Sequence, residues 1–198
     1  MSQDRVRLGV IGLGGRGRYF ARNYDNHPEA ELVAVADPAP KALENVRGRY
    51  GDRIDYYTDL DEFLLREDMD SVVIATPDHA HRDNAVQCFE YEKNVLLEKP
   101  IAQSVEDSDD IIRAWNRAGT VLCVGLELRY SAIFRRMREI IDGGLIGEIM
   151  TGIAVDNVSV GGNYFYHDQQ RTKEYTVSLL MQKGVHTIDL MNWFMDAG

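Results

Sequence analysis

A short apolar run that ends in three spaced glycines limits what this chain can fold into more than any other feature of it. The run VRLGVIG (Val6–Gly12) leads into LGGRGRYF, so Gly12, Gly14 and Gly17 stand as G-x-G-x-x-G between a predicted strand and a predicted helix. The first glycine permits a tight turn, the second lets the backbone approach a pyrophosphate, and the third lets helix and strand pack closely. The helix beyond would turn unbonded N–H groups and the positive end of its dipole toward the phosphates. Gly12, Leu13, Gly14, Gly15, Arg16 and Gly17 are therefore the expected phosphate-side contacts, and Arg16 and Arg18 add positive charge. The run ELVAVAD supplies the second half of the signal. It ends in Asp37, 20 residues past Gly17, where a carboxylate is expected to hold both hydroxyls of an adenine ribose. Alone, Asp37 could equally be an N-cap or turn residue before Pro38; beside the glycines the ribose role is preferred. No arginine follows in DPAP, so a 2′-phosphate would meet an unneutralised carboxylate, and NAD is expected rather than NADP.

Downstream the same alternation continues. IDYY, SVVIATP, NVLLEKP and VLCVGLE are short and apolar almost throughout, and helically spaced stretches such as Ala39–Tyr50 and Ser104–Ala118 separate them. Strands apolar on both faces are those of a parallel sheet covered on both sides by helices, so the fold class is α/β, a doubly wound parallel sheet. Ser104 is the expected N-cap of its helix and Gly119 the residue that ends it. Beyond Arg129 the character changes to a helix (Ser131–Asp142), an alternating strand from Glu148 to about Ser159, a polar loop (Gly161–Tyr175) and an apolar-periodic stretch (Val177–Met195). The expected division is a dinucleotide-binding domain over residues 1–126 and part of a second domain over 127–198.

Charge narrows the choice of partners. The 32 acidic residues outnumber the 22 basic ones among 198, for a net charge of −10, which repels nucleic acid and anionic lipid over most of the surface. Neither nucleic acid nor membrane is an expected partner. Cys88 and Cys123, in VQCFE and VLCVG, read as buried small hydrophobes rather than a zinc or redox pair, and no metal is expected. The amino terminus lacks a signal-peptide pattern and no apolar run reaches the roughly 18 residues that span a bilayer. A cytoplasmic protein is expected.

With these residues in view, the chain resembles the Gfo/Idh/MocA oxidoreductase family, which includes glucose-fructose oxidoreductase and inositol dehydrogenase. The resemblance rests on the glycine loop, IATPDHAH (Ile74–His81), LLEKP (Leu96–Pro100), GLELRYSAIFRRMREIIDGGLIGEI (Gly125–Ile149) and KGVHTIDLMNWF (Lys183–Phe194), in the family's order. It implies a Rossmann domain followed by the beginning of an α+β domain with an open antiparallel sheet. Thr76 and Pro77 match the segment lining the nicotinamide side of the cleft, and His81 a position that supports it. Glu98, Lys99 and Pro100 match the E-K-P motif, in which Lys99 polarises a substrate hydroxyl and the bond before Pro100 is cis. His186 matches the general base, with Asp189 on the same helical face.

The activity so implied is hydride transfer between NAD and a secondary hydroxyl of a sugar, sugar derivative or cyclitol. An NAD-dependent glycosidase acting through transient oxidation and elimination, or a non-catalytic cofactor-binding protein, are the alternatives. Many family dehydrogenases carry an aspartate four residues before the histidine; here that residue is Gln182, a neutral amide. Glu127, Arg129, Tyr130, Tyr164, Tyr166, His167 and Arg171 are candidate substrate contacts. Family members are longer, so the expectation is a truncated second domain, a homo-oligomer for the full-length protein, and a chain that binds NAD more readily than it turns substrate over.

Overall fold

The six apolar runs form six parallel strands in one sheet. The computed structural model describes residues 5–156, 171–173 and 175–196, and the chain divides into two compact units, 1–124 and 125–198. In the first unit the strands are β1 (Val6–Ile11), β2 (Ala30–Ala36), β3 (Asp55–Tyr57), β4 (Ser71–Ile74), β5 (Asn94–Leu97) and β6 (Leu122–Val124). They lie in the order β3-β2-β1-β4-β5-β6, every neighbouring pair parallel. The chain turns to β2 on one side of β1 and returns to place β4 on the other. That reversal opens a crevice at the carboxyl ends of β1 and β4, where doubly wound sheets bind ligands.

Side-chain alternation along the strands sorts the core into two layers. Val10, Val35 and Val73 pack with Leu43, Val46 and Tyr50 of α2 (Pro40–Tyr50) and Ala21 of α1 (Gly15–Asp25). Ile11, Ala34, Ala36, Val72 and Ile74 point the other way, against Phe63 of α3 (Leu60–Leu64), Phe89 of α4 (His81–Glu90) and Ile111 of α5 (Val105–Ala118). Period-two alternation thus makes two apolar faces from one strand, as a parallel sheet covered on both sides requires.

The helix signals are seen in the structure. The Ser104 hydroxyl accepts from the Asp107 N–H at 3.0 Å and donates to the Asp107 carboxylate at 2.7 Å. Gly119 closes α5 with φ 68°, the left-handed conformation that glycine adopts without cost. No described helix is long and apolar enough to cross a membrane.

The second unit contains a 3-10 turn (Glu127–Tyr130), α6 (Ala132–Asp142), a π turn (Leu180–Gly184) and α7 (Val185–Met195). Two sequence expectations need correction. The strand expected from Glu148 is not formed over 148–156, although Ile153 and Val155 keep the period of two; their side chains are exposed and no described strand runs beside them. Alternation marks a possible strand, but a ladder needs a partner. The rest of that expected strand, and most of the loop after it, lie outside the described residues. Within the apolar-periodic stretch Val177–Met195, Leu180–Gly184 is π-helical and Val185–Met195 α-helical. Cys88 is buried, but Cys123 is exposed because β6 is the edge of the sheet.

Ser104→Ala removes both hydroxyl hydrogen bonds at the start of α5. It is expected to cost about 1 kcal/mol, seen by calorimetry as a fall of about 2–4 °C in Tm; an unchanged Tm would mean the cap contributes nothing.

Candidate functional site

The glycine loop joins β1 to α1 at the crevice. Gly12 has φ +85°, and a Cβ there would lie 2.8 Å from the Ala75 carbonyl oxygen. A Cβ on Gly17 would sit 1.7 Å from the Gly12 carbonyl oxygen, so α1 comes this close only with glycine at that place. Gly14 and Gly15 are the converse case: nothing lies within 4 Å of a Cβ built on either, and the backbone is bare to solvent. Gly14 is the N-cap of α1 and makes no side-chain cap bond there. A loop closed to side chains on its inner side, with a bare backbone and an uncapped helix N-terminus outside, fits the pyrophosphate of a dinucleotide.

Asp37 extends the cradle to β2. Its Oδ2 accepts the Leu13 N–H at 2.8 Å and its Oδ1 the Ala39 N–H at 2.9 Å. The turn-forming role considered for it in the sequence is therefore real, and it also pins the glycine loop. Each carboxylate oxygen keeps a further lone pair, so these bonds leave capacity for a pair of ribose hydroxyls. Leu13 is buried and offers only backbone.

Arg16, in the first turn of α1, donates from Nε to Glu98 Oε1 at 2.5 Å. Glu98 is 6% exposed and also accepts the Lys99 N–H at 3.1 Å. The arginine expected as a phosphate counter-charge is thus part of a link between the glycine helix and the end of β5.

Thr76 and Pro77 follow β4. Thr76 is half-buried and its Oγ1 accepts from the Asn84 amide at 3.1 Å; Pro77 is exposed. Lys99 is half-buried, and the Lys99–Pro100 bond is cis. His81, at the start of α4, is 0% exposed, so it presents no surface to a ligand. Its Nδ1 lies 2.7 Å from the Pro100 carbonyl oxygen and its Nε2 3.1 Å from that of Thr76. The ring fastens the loop after β4 to the loop after β5, and any contribution to a cofactor passes through those two backbones. Burial pushes its pKa below the ordinary value, outweighing the two carbonyls and the carboxylates of Asp78 and Glu98, which favour the charged ring.

His186 belongs to the second unit, in the first turn of α7. Three residues on, Asp189 accepts a two-pronged bond from Arg129, 2.8 Å from Nε and 2.5 Å from Nη2, and the guanidinium lies 5.7 Å from the Trp193 ring centre. Arg129, a candidate substrate contact by sequence, is therefore committed to α7. His186 Nε2 stands 3.7 Å from Glu127 Oε2. Gln182 is buried in the π turn, where hydrogen bonds to the fifth residue widen the spiral, so four residues no longer make one turn. Tyr130 and Arg171 are exposed; Tyr164, Tyr166 and His167 lie outside the described residues. Sequence reasoning missed the Arg16–Glu98 link, the Asp37–Leu13 bond and the fastening by His81. It also missed the tie between Arg129 and Asp189, for which the H-x-x-D spacing of His186 and Asp189 was the only hint.

Comparison with known proteins gives a consistent setting. The model of an oxidoreductase family with an NAD-binding Rossmann fold matches residues 6–126. An inositol 2-dehydrogenase of Rhizobium meliloti is 33% identical over 144 residues, covering 73% of this chain and 43% of that protein. A 2,7-anhydro-N-acetylneuraminate hydratase of Mediterraneibacter gnavus is 31% identical over 151 residues, covering 73% of this chain and 38% of the other. The crystal structure of a Lactobacillus casei scyllo-inositol dehydrogenase with bound NAD(H) and scyllo-inositol shares the fold, with a TM-score of 0.85 at 23% identity over 98% of this chain and 57% of that one. The chain spans about half the length of the relatives it matches.

Two outcomes are expected at the cradle. Gly17→Ala forces the Gly12 carbonyl and α1 apart at a cost of about 1–3 kcal/mol, and isothermal titration should show NADH binding weakened about tenfold or more; wild-type affinity would mean the close approach is not needed. His81 is the pH-dependent element. Because its folded-state pKa lies below the unfolded one, its neutral form stabilises the fold above the unfolded value of about 6.5, and that contribution is lost as pH falls toward the folded value. Calorimetry between pH 7.5 and 5 should show Tm falling more steeply in the wild type than in His81→Gln, whereas parallel curves would discount His81 as the source.

Proposed function

We propose, starting from the fact that this chain belongs to the Gfo/Idh/MocA oxidoreductase family with its NAD-binding Rossmann fold, that the whole protein interconverts a secondary hydroxyl and a ketone of a sugar, sugar derivative or cyclitol, with NAD as cofactor. The observation that carries the reading is the cradle: bare glycine backbone at an uncapped helix end, with the Asp37 carboxylate fixed beside it by the Leu13 N–H. The similarity to an inositol 2-dehydrogenase supports the substrate class.

In this reading Gly12 to Gly17 hold the pyrophosphate and Asp37 the adenine ribose. Thr76 and Pro77 line the nicotinamide side, backed by His81. Asp37 also sets the choice of cofactor, since a 2′-phosphate beside an ionised carboxylate is repelled. NAD when bound supplies the hydride acceptor. The chain's own residues handle the proton: Lys99 donates a hydrogen bond to the substrate oxygen and stabilises negative charge on it, and His186 takes the hydroxyl proton.

A second reading is favoured by one relative. The 2,7-anhydro-N-acetylneuraminate hydratase bears the name of a reaction without net redox change, which keeps open a glycosidase or related elimination chemistry on the same residues.

Fluorescence titration should show NADH binding at least about tenfold tighter than NADPH; equal or tighter NADPH binding would refute the cofactor assignment. In the whole protein, a panel of cyclitols and monosaccharides followed by absorbance of reduced nicotinamide should give turnover, cut about 100-fold or more by Lys99→Ala or His186→Ala. Conversion of a substrate without accumulation of NADH would instead support the second reading.

A further inference from the structure

A base that takes a hydroxyl proton becomes an imidazolium, and a nearby carboxylate lowers the energy of that charged form. The amide of Gln182 cannot do so, because it carries no charge. The second unit does hold a carboxylate in reach of the ring: Glu127 Oε2, 3.7 Å from His186 Nε2. This is ion-pair range, longer than a direct hydrogen bond.

The juxtaposition is built rather than incidental. His186, Asp189 and Trp193 follow at spacings of three and four, which places them along one face of α7. Arg129 grips two of them, Asp189 by both carboxylate oxygens and Trp193 through its ring face. Asp189 is fastened at both oxygens, so it is already committed. Glu127 stands two residues before Arg129 in the same 3-10 turn. The turn so anchored holds the Glu127 carboxylate at His186, one helical turn before Asp189. Among the described residues, α6 reaches α7 through Arg138, which is paired with Asp142 and Asp196. Arg129 and Asp189 neutralise one another, Lys183 precedes the ring in the π turn, and Glu127 supplies the negative charge at Nε2.

We infer that Glu127 is the positioning residue for His186, a carboxylate that orients the imidazole and stabilises the imidazolium formed when the ring accepts the substrate proton. The inference rests on the assignment of His186 as base. Glu127 takes no proton in the step: the proton moves from the substrate oxygen to the imidazole, and no bond at Glu127 is made or broken. Neither Glu127 nor the Arg129–Asp189 pair need touch substrate.

The pairing can be read without turnover. Nuclear magnetic resonance titration of the His186 ring in this chain should show its midpoint falling by about 1 pH unit in Glu127→Gln, with a smaller fall in Glu127→Asp. In the whole protein, Glu127→Gln should lower kcat by up to about tenfold with KM little changed, and move the acid limb of the kcat profile to lower pH. A His186 midpoint unmoved by Glu127→Gln, with His186→Ala still abolishing turnover, would overturn the pairing and leave the base assignment standing. Turnover unaffected by His186→Ala would overturn both.

Discussion

Where α1 crosses the end of β1, the backbone at Gly17 comes so close to the Gly12 carbonyl that any side chain would overlap it. That approach sets the position of α1, and the position of α1 sets the rest of the cofactor edge. The N-terminus of the helix is brought to the crevice between β1 and β4 with a glycine at its N-cap, so its first N–H groups and the positive end of its dipole face outward. Two ties hold the arrangement. Asp37 takes the Leu13 N–H from the β2 side, and Glu98 holds Arg16 from the β5 side. A protein with a net charge of −10 can present an anion site here because the attraction comes from backbone dipoles fixed in place, which the surface charge does not cancel at short range.

Those ties also explain what the sequence could and could not disclose. The glycine spacing, the apolar runs and the Ser104 and Gly119 signals are local, and local patterns are dictated by backbone sterics and by which face of a strand or helix is buried. The sheet, its strands and the helix ends were legible for that reason. Arg16 and Glu98 are 82 residues apart, and Leu13 and Asp37 are 24 apart. Nothing in a linear pattern says that an arginine of the first helix meets a buried glutamate, so the Arg16–Glu98 link is seen only once the fold brings the two together. His81 is similar: its place in the chain suggested a role near the cleft, but full burial between two carbonyl oxygens is a property of the packed loops. The strand expected from Glu148 fails for the opposite reason. Its alternation is visible in the sequence, but its partner is not among the described residues.

The two units are held together internally by different forces. In the first, two apolar layers bury strand side chains on both faces, and polar ties refine a position that packing already sets. In the second, Leu190 is the one apolar side chain that is buried among the described residues. Orientation there rests more on directional bonds: Arg129 on Asp189, Arg138 on the Trp193 carbonyl, and the stacked rings of Trp193 and Phe194 with centroids 5.3 Å apart. Apolar contact is non-directional, whereas a two-pronged guanidinium bond fixes both distance and rotation.

That difference bears directly on His186. A histidine set in a deep apolar core would be kept neutral by desolvation, as His81 is, and would be a poor acceptor of a proton. His186 is also largely covered, its side chain 15% exposed, but the Glu127 carboxylate stands 3.7 Å from its ring. The two histidines are thus set differently. His81 lies between two carbonyl oxygens and fastens two loops, while His186 faces a carboxylate from the neighbouring turn.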